Sequence, residues 1–202
     1  MAYTRSEFVN KYGQYIIKAT RGTGILPGTL VAQAILESSG TYNGKWLVGG
    51  SGLSRNANNY FGIKCHSTWK GKRYNANTNE QTSSGQVYVD PNACFRKYDS
   101  VKDSIDDYIK FLKENDRYAS HGVFKAKTVK EQAQALKNAG YATAVNYAAT
   151  VYEVYLSIAS SLQKIQEKIK AHQKNVLIGS ISLLVVAIGV GIVFLNKKSK
   201  LT

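Results

Sequence analysis

Two glutamates stand apart from the other charged residues of this chain. Glu37 closes the largely apolar run Leu26-Pro27-Gly28-Thr29-Leu30-Val31-Ala32-Gln33-Ala34-Ile35-Leu36-Glu37-Ser38-Ser39-Gly40, and its nearest basic residue in sequence is Lys45. Glu80 lies in the polar tract Asn75-Ala76-Asn77-Thr78-Asn79-Glu80. A carboxyl at the edge of an apolar helix loses hydration, so its pKa rises and it can serve as a general acid. The competing reading is a glutamate that faces water at a helix end, a common arrangement. Two carboxyls across a cleft are what glycoside hydrolysis uses, one to protonate the leaving oxygen and one to activate water or attack the sugar. Spacing alone does not choose between these readings.

Other chemistries find little support. Cys65 and His66 are adjacent and cannot form a CxxC or HxxxH ligand pair, while His121 and His172 stand alone. Nothing around Cys65 or Cys94 resembles an activated thiol, which leaves two buried thiols or one disulfide. No metal and no cofactor are expected.

The elements that must position the two acids follow from periodicity. Ser6 to Ala19 predicts a helix with Phe8, Val9, Tyr12, Ile16 and Ile17 on its buried face. Leu30 to Glu37 predicts a second, buried helix, with Thr29 as its cap and Gly40 as its stop. Thr41 to Ser54, rich in Gly, Ser and Asn, reads as a loop bending around Glu37. Asn58-Asn59-Tyr60-Phe61-Gly62-Ile63-Lys64 reads as a packed aromatic turn. Between Trp69 and Tyr98 alternation takes over and predicts a hairpin carrying Glu80, with turns at Ser84-Gly85 and Pro91-Asn92. Ser100-Val101-Lys102-Asp103 and Thr128-Val129-Lys130-Glu131 start two more helices, the second stopping at Gly140. A last stripe runs through Tyr147, Val151, Val154, Ile158, Leu162, Ile165 and Ile169. Helices at both ends around an inserted hairpin make an α+β domain.

Charge and hydropathy divide the chain. Residues 1–160 carry 20 Lys+Arg against 12 Asp+Glu, and residues 161–202 carry 7 against 1. This excess favours polyanions, and the absence of a zinc finger, an RNP-type motif or a continuous basic helix argues against nucleic acid. Residues 176–195 contain no charge and are flanked by Lys168, Lys170, Lys174, Lys197, Lys198 and Lys200, the pattern of a transmembrane helix in a lipid bilayer. Lysines on both sides leave its orientation open. Met1 to Ala19 has no apolar core of a signal peptide. The expected organisation is a domain over 1–160, a basic helical stalk over 161–175, the span, and a basic tail over 196–202.

Four motifs carry a resemblance. Ala32-Gln33-Ala34-Ile35-Leu36-Glu37-Ser38, Asn58-Asn59-Tyr60-Phe61-Gly62-Ile63-Lys64, Phe95-Arg96-Lys97-Tyr98-Asp99-Ser100 and Tyr141-Ala142-Thr143-Ala144-Val145-Asn146-Tyr147-Ala148 occur in the order found in glycoside hydrolase family 73. Over about Phe8 to Tyr155 the chain is similar to those glucosaminidase domains, which include flagellar peptidoglycan hydrolases and autolysins. The resemblance implies a lysozyme-like α+β fold and cleavage of the β-1,4 bond after N-acetylglucosamine in peptidoglycan glycan strands. It puts the general acid on Glu37, the second carboxylate on Glu80 and the cleft tyrosine on Tyr147, with Asn59, Phe61 and Tyr98 toward the substrate.

Two departures matter. The family's Leu-Glu-Ser-Gly-Trp-Gly is Leu36-Glu37-Ser38-Ser39-Gly40-Thr41 here, so Trp46 or Trp69 becomes the expected aromatic sugar platform. The usual Asp-Pro is Ala144-Val145. In an envelope or phage-delivered setting, Cys65 and Cys94, just before and just after the hairpin, suit a lobe-closing disulfide. A lytic transglycosylase using Glu37 alone and an inactive wall-binding module are the alternative functions.

Overall fold

Most helices of the chain start where a hydroxyl side chain can accept an N–H of the first turn. Thr4 caps α1 (Arg5–Ala19) in a reciprocal box with Glu7, and Thr128 does the same for α6 (Val129–Asn138) with Glu131. Ser51 caps α3 (Gly52–Ala57) and Ser100 caps α4 (Val101–Glu114). Helix α2 (Pro27–Ser38) is different: Pro27 opens it and Leu26 is the cap residue, with no side-chain bond. The Leu26 N–H instead donates to Gln132 Oε1 at 2.8 Å, and the Gln132 amide also holds the Gly24 and Val123 carbonyls. Thr29, expected as the cap, lies inside the first turn and is fully buried, because Pro27 already sets the helical φ two residues earlier.

This computed structural model describes the backbone of residues 1–81 and 86–198, and the side chains of residues 1–78, 86 and 88–176. The chain divides into two units, Met1–Leu162 and Gln163–Thr202.

In the first unit α2 is the central element. Gly28 to Ile35 and Ser38 are all buried, against α1, α4, α6 and the start of α7 (Tyr147–Lys198). Each large apolar side chain so buried contributes roughly 1.5–3 kcal/mol. Helix α4 turns Val101, Ile105, Tyr108, Ile109 and Leu112 inward, and α7 supplies Tyr147, Val151, Val154, Ile158 and Leu162. A short helix α5 (Asp116–Ser120) and one 3-10 turn (Val123–Lys125) join α4 to α6.

Two antiparallel hairpins flank this helical body. The first, β1 (Gly40–Tyr42) with β2 (Lys45–Leu47), occupies part of the stretch expected to be a loop. Asn43 and Gly44 both take positive φ, 50° and 72°, which makes the two-residue turn that an Asn-Gly pair favours. The rest of that stretch enters α3. Gly40 and Gly50 pack backbone to backbone: a side chain on Gly50 would sit 2.2 Å from the Gly40 carbonyl oxygen.

The second hairpin pairs β3 (Arg73–Gln81) with β4 (Val87–Arg96). Pro91-Asn92 is not a turn but part of a bulge: Ala76 pairs with Ala93 and Thr78 with Asp90, so two residues of β4 oppose Asn77. Pro91 has no N–H to offer the ladder, and the Asn92 N–H turns back to Asp90 Oδ1 at 3.1 Å. The expected Ser84-Gly85 turn lies outside the described residues. The base of the hairpin is tied down by the Cys65–Cys94 disulfide, with Cα atoms 5.3 Å apart, and by a bridge between Lys64 and Phe95.

In the second unit Lys164, Lys168, Lys170 and Lys174 are exposed. The apolar stretch 176–195 is helical in backbone, but its side chains beyond Val176 lie outside the described residues, as does the tail from 199. Among the described residues no helix is long and apolar enough to cross a membrane.

The disulfide spans 29 residues, a closure that constrains the unfolded chain by about 3–4 kcal/mol in the entropic account. Replacing both cysteines by serine is expected to lower the unfolding free energy by that order, with a fall in Tm and in the chemical denaturation midpoint, and a double variant as stable as the parent would show that the bond constrains nothing.

Candidate active site

Burial of α2 decides the state of its last carboxyl. Glu37 follows nine consecutive helical residues that are almost all buried, and loss of hydration pushes its pKa up to about 7. The opposing influence is smaller: the neighbouring Tyr147 hydroxyl favours the charged form of the carboxyl. Near neutral pH, therefore, Glu37 holds a proton that it can donate.

Beneath the carboxyl is a polar chain inside an aromatic nest. Gln33 Nε2 donates to the Tyr147 hydroxyl at 2.8 Å, and the Tyr108 hydroxyl donates to Gln33 Oε1 at 2.9 Å. Phe61 stacks on Tyr108 with ring centroids 4.0 Å apart, and Tyr141 packs against both Tyr108 and Tyr147. Burial and the nearby Glu37 charge keep the Tyr147 and Tyr108 hydroxyls protonated far beyond neutral pH.

Ser38 fixes the wall beside the acid. Its hydroxyl donates to the Ala34 carbonyl and accepts the Gly49 N–H, while its own carbonyl accepts from the Ser51 N–H and the Ser54 hydroxyl. The segment after the β1–β2 hairpin is thereby fastened to the end of α2. On that hairpin, opposite Thr41, Trp46 is 71% exposed, as an aromatic platform requires.

The remaining expected residues fall elsewhere. Asn59, 1% exposed, spends its amide on the Ile63 and Arg96 carbonyls and its oxygen on the Ile63 N–H, so it closes a turn and offers nothing to a sugar. Phe61 is buried in the nest, and its carbonyl accepts from Tyr141. Tyr98, 6% exposed, donates to Asp107 at 2.7 Å, and Arg96 pairs with the same carboxylate at 2.8 Å. The Arg96 guanidinium covers the Trp69 ring at 4.5 Å, and Trp69 meets Tyr98 edge-on. Tyr98 and Arg96 tie the base of the β3–β4 hairpin to Asp107 of α4, and the half-buried Trp69 ring packs against both. The Glu80 backbone pairs with Tyr88 near the outer end of β3, and its carboxyl lies outside the described residues. No group of three His, Cys, Asp or Glu side chains suited to a metal occurs among the described residues. The place of Gln33 in this polar chain is not readable from the sequence, since its partners are 75 and 114 positions away.

Comparison with solved structures gives the fold class. The chain is similar to a peptidoglycan hydrolase mutant from Sphingomonas sp. A1 (TM-score 0.61, 28% identity, 81% of this chain and 99% of that one). It is equally similar to the catalytic domain of the autolysin Auto from Listeria monocytogenes (TM-score 0.61, 29% identity, 80% and 86%). The fold is thus the mixed helix and sheet, lysozyme-like fold of glycoside hydrolases. Residues 13–160 match the sequence model of the glucosaminidase family, described as mannosyl-glycoprotein endo-beta-N-acetylglucosaminidase, and the chain belongs to that family. Curated relatives include peptidoglycan hydrolase FlgJ of Pseudomonas aeruginosa (35% identity over 76% of this chain and 37% of the relative). FlgJ of Vibrio cholerae is 34% identical over 77% of this chain and 44% of its own length. The chain spans less than half the length of these relatives.

The raised pKa of Glu37 carries a stability signature. The unfolded carboxyl gives up its proton near 4.5 and the folded one near 7, so stability falls as pH rises through that window. Glu37→Gln removes this cost: the variant is expected to match the parent below about pH 4.5 and to exceed it by about 1–3 kcal/mol above pH 7. Denaturant unfolding at pH 4 and pH 8 checks this, and an equal difference at both pH values would contradict the buried, protonated carboxyl.

Proposed function

We propose that this chain is an endo-β-N-acetylglucosaminidase that cleaves peptidoglycan after N-acetylglucosamine. The observation that carries the reading is the place of Glu37 at the end of a buried helix, where loss of hydration raises its pKa to about 7 beside the Tyr147 hydroxyl. Glu37 donates its proton to the glycosidic oxygen as the bond to the sugar breaks. Tyr147 then stabilises the carboxylate left behind. Glu80, on the hairpin, is the second carboxylate, which activates water or stabilises the cationic sugar ring. Trp46 is the platform on which a sugar face stacks. That the FlgJ relatives and the Sphingomonas enzyme are peptidoglycan hydrolases favours peptidoglycan over other glycans. The basic surface draws the domain to anionic wall polymers, and the uncharged run 176–195 with its lysine flanks supports a membrane tether at the envelope.

Mass spectrometry of digested sacculi tests this. Reducing N-acetylglucosamine ends are expected, with Glu37→Gln and Glu80→Gln each lowering turnover about 10²-fold or more. Anhydromuropeptides would replace the hydrolase with a lytic transglycosylase that uses Glu37 alone, and binding without cleavage would leave a wall-binding module. Trp46→Ala is expected to raise KM about tenfold with Tm unchanged, because the ring is exposed in the free protein. An unaltered KM would remove Trp46 from the binding surface.

A further inference from the structure

Gln33 lies one helical turn before Glu37, is fully buried, and has both ends of its amide engaged. An amide is not symmetrical: the oxygen only accepts and the nitrogen only donates. The Tyr108 hydroxyl donates to Oε1, which turns Nε2 toward Tyr147. The Tyr147 oxygen therefore accepts a hydrogen bond from Gln33, and its own proton must be directed elsewhere. The neighbouring acceptor is the Glu37 carboxyl, one helical turn beyond Gln33 on α2 and in electrostatic reach of the Tyr147 hydroxyl.

Resting on the glucosaminidase reading above, we propose that Gln33 is a positioning residue which, through Tyr147, keeps a hydroxyl proton aimed at the carboxyl of Glu37. A hydrogen bond to a carboxylate is stronger than one to a neutral acid, so the contact tightens as Glu37 passes its proton to the leaving oxygen. Gln33 thus acts on kcat and leaves KM alone. A simpler role, in which Gln33 only satisfies two buried tyrosines, makes no such distinction and has no effect on how Glu37 titrates.

The test compares Gln33→Met, Gln33→Glu, Tyr147→Phe and the Gln33→Met/Tyr147→Phe pair, with kcat and KM measured across pH on soluble peptidoglycan fragments. Gln33→Met is expected to lower kcat about tenfold with KM unchanged. It also moves the alkaline fall of kcat/KM to higher pH, because Glu37 loses a donor that favours its charged form. At acid pH the neutral carboxyl of Gln33→Glu offers the same single acceptor and single donor, so activity returns to within a few-fold of the parent. At higher pH that carboxyl ionises, accepts from both tyrosines, and the activity is lost. In the Tyr147→Phe background Gln33→Met is expected to change nothing further.

A uniform loss at every pH, no recovery of Gln33→Glu in acid, or an undiminished effect in the Tyr147→Phe background would each overturn the proposal. Carbon-13 NMR titration of the Glu37 carboxyl reads the contact without substrate. An unchanged midpoint in both folded Gln33 variants overturns the proposal whatever the activity. Failure of the glucosaminidase reading shows separately, in the products of the parent or in full activity of Glu37→Gln.

Discussion

The enclosure of α2 is the constraint on which the rest depends. Four helices pack around it, so any polar atom on its inner face has to find a partner within the protein or go without one. Gln33 and Ser38 find partners and tie distant segments together. Thr29 does not: its hydroxyl has no hydrogen-bond partner among the described residues. Glu37 has a third outcome. At the rim of the enclosure it keeps its proton, and the free energy withheld from the ionised form is what makes the residue an acid. The same packing that stabilises the core raises the pKa of this carboxyl.

Much of this was legible in the chain and some was not. The apolar run ending in a lone glutamate pointed to a buried helix and a protonated carboxyl, because both follow from local composition. The Thr128-Glu131 and Ser100-Asp103 caps were equally readable, since their bonds close over three residues. Gln33 was not, because a glutamine in a helix has no local mark of the tyrosines that will meet it from α4 and α7. Asn59, Phe61 and Tyr98 differ for a related reason: aromatic and amide groups suit sugars and buried turns alike, and only burial separates the two. Asn43-Gly44 is a different kind of miss. Its turn signal was present, but the polar composition around it outweighed the dipeptide.

The two glutamates are carried in unlike settings. Glu37 lies at the end of a helix packed on by four others, while the Glu80 backbone lies seven residues along a strand whose attachments, among the described residues, are near its base. The disulfide, the Arg96–Asp107 pair and the Trp69–Tyr98 contact hold residues 94–98 against the helical body. Glu37 is therefore held by its own helix, whereas the backbone at Glu80 is held through the ladder of β3 and β4.

The bulge at Pro91 matters beyond the shape of β4. A two-stranded ribbon exposes the outer edges of both strands, each a template onto which another chain can add. On β4 the residues nearest the base are covered, because the Ile63 carbonyl accepts from the Arg96 N–H and the Cys65 N–H donates to the Cys94 carbonyl. Farther out, a proline without an N–H and a local break in the ladder take over that protection. That stretch of β4 is therefore a poor template for an added strand.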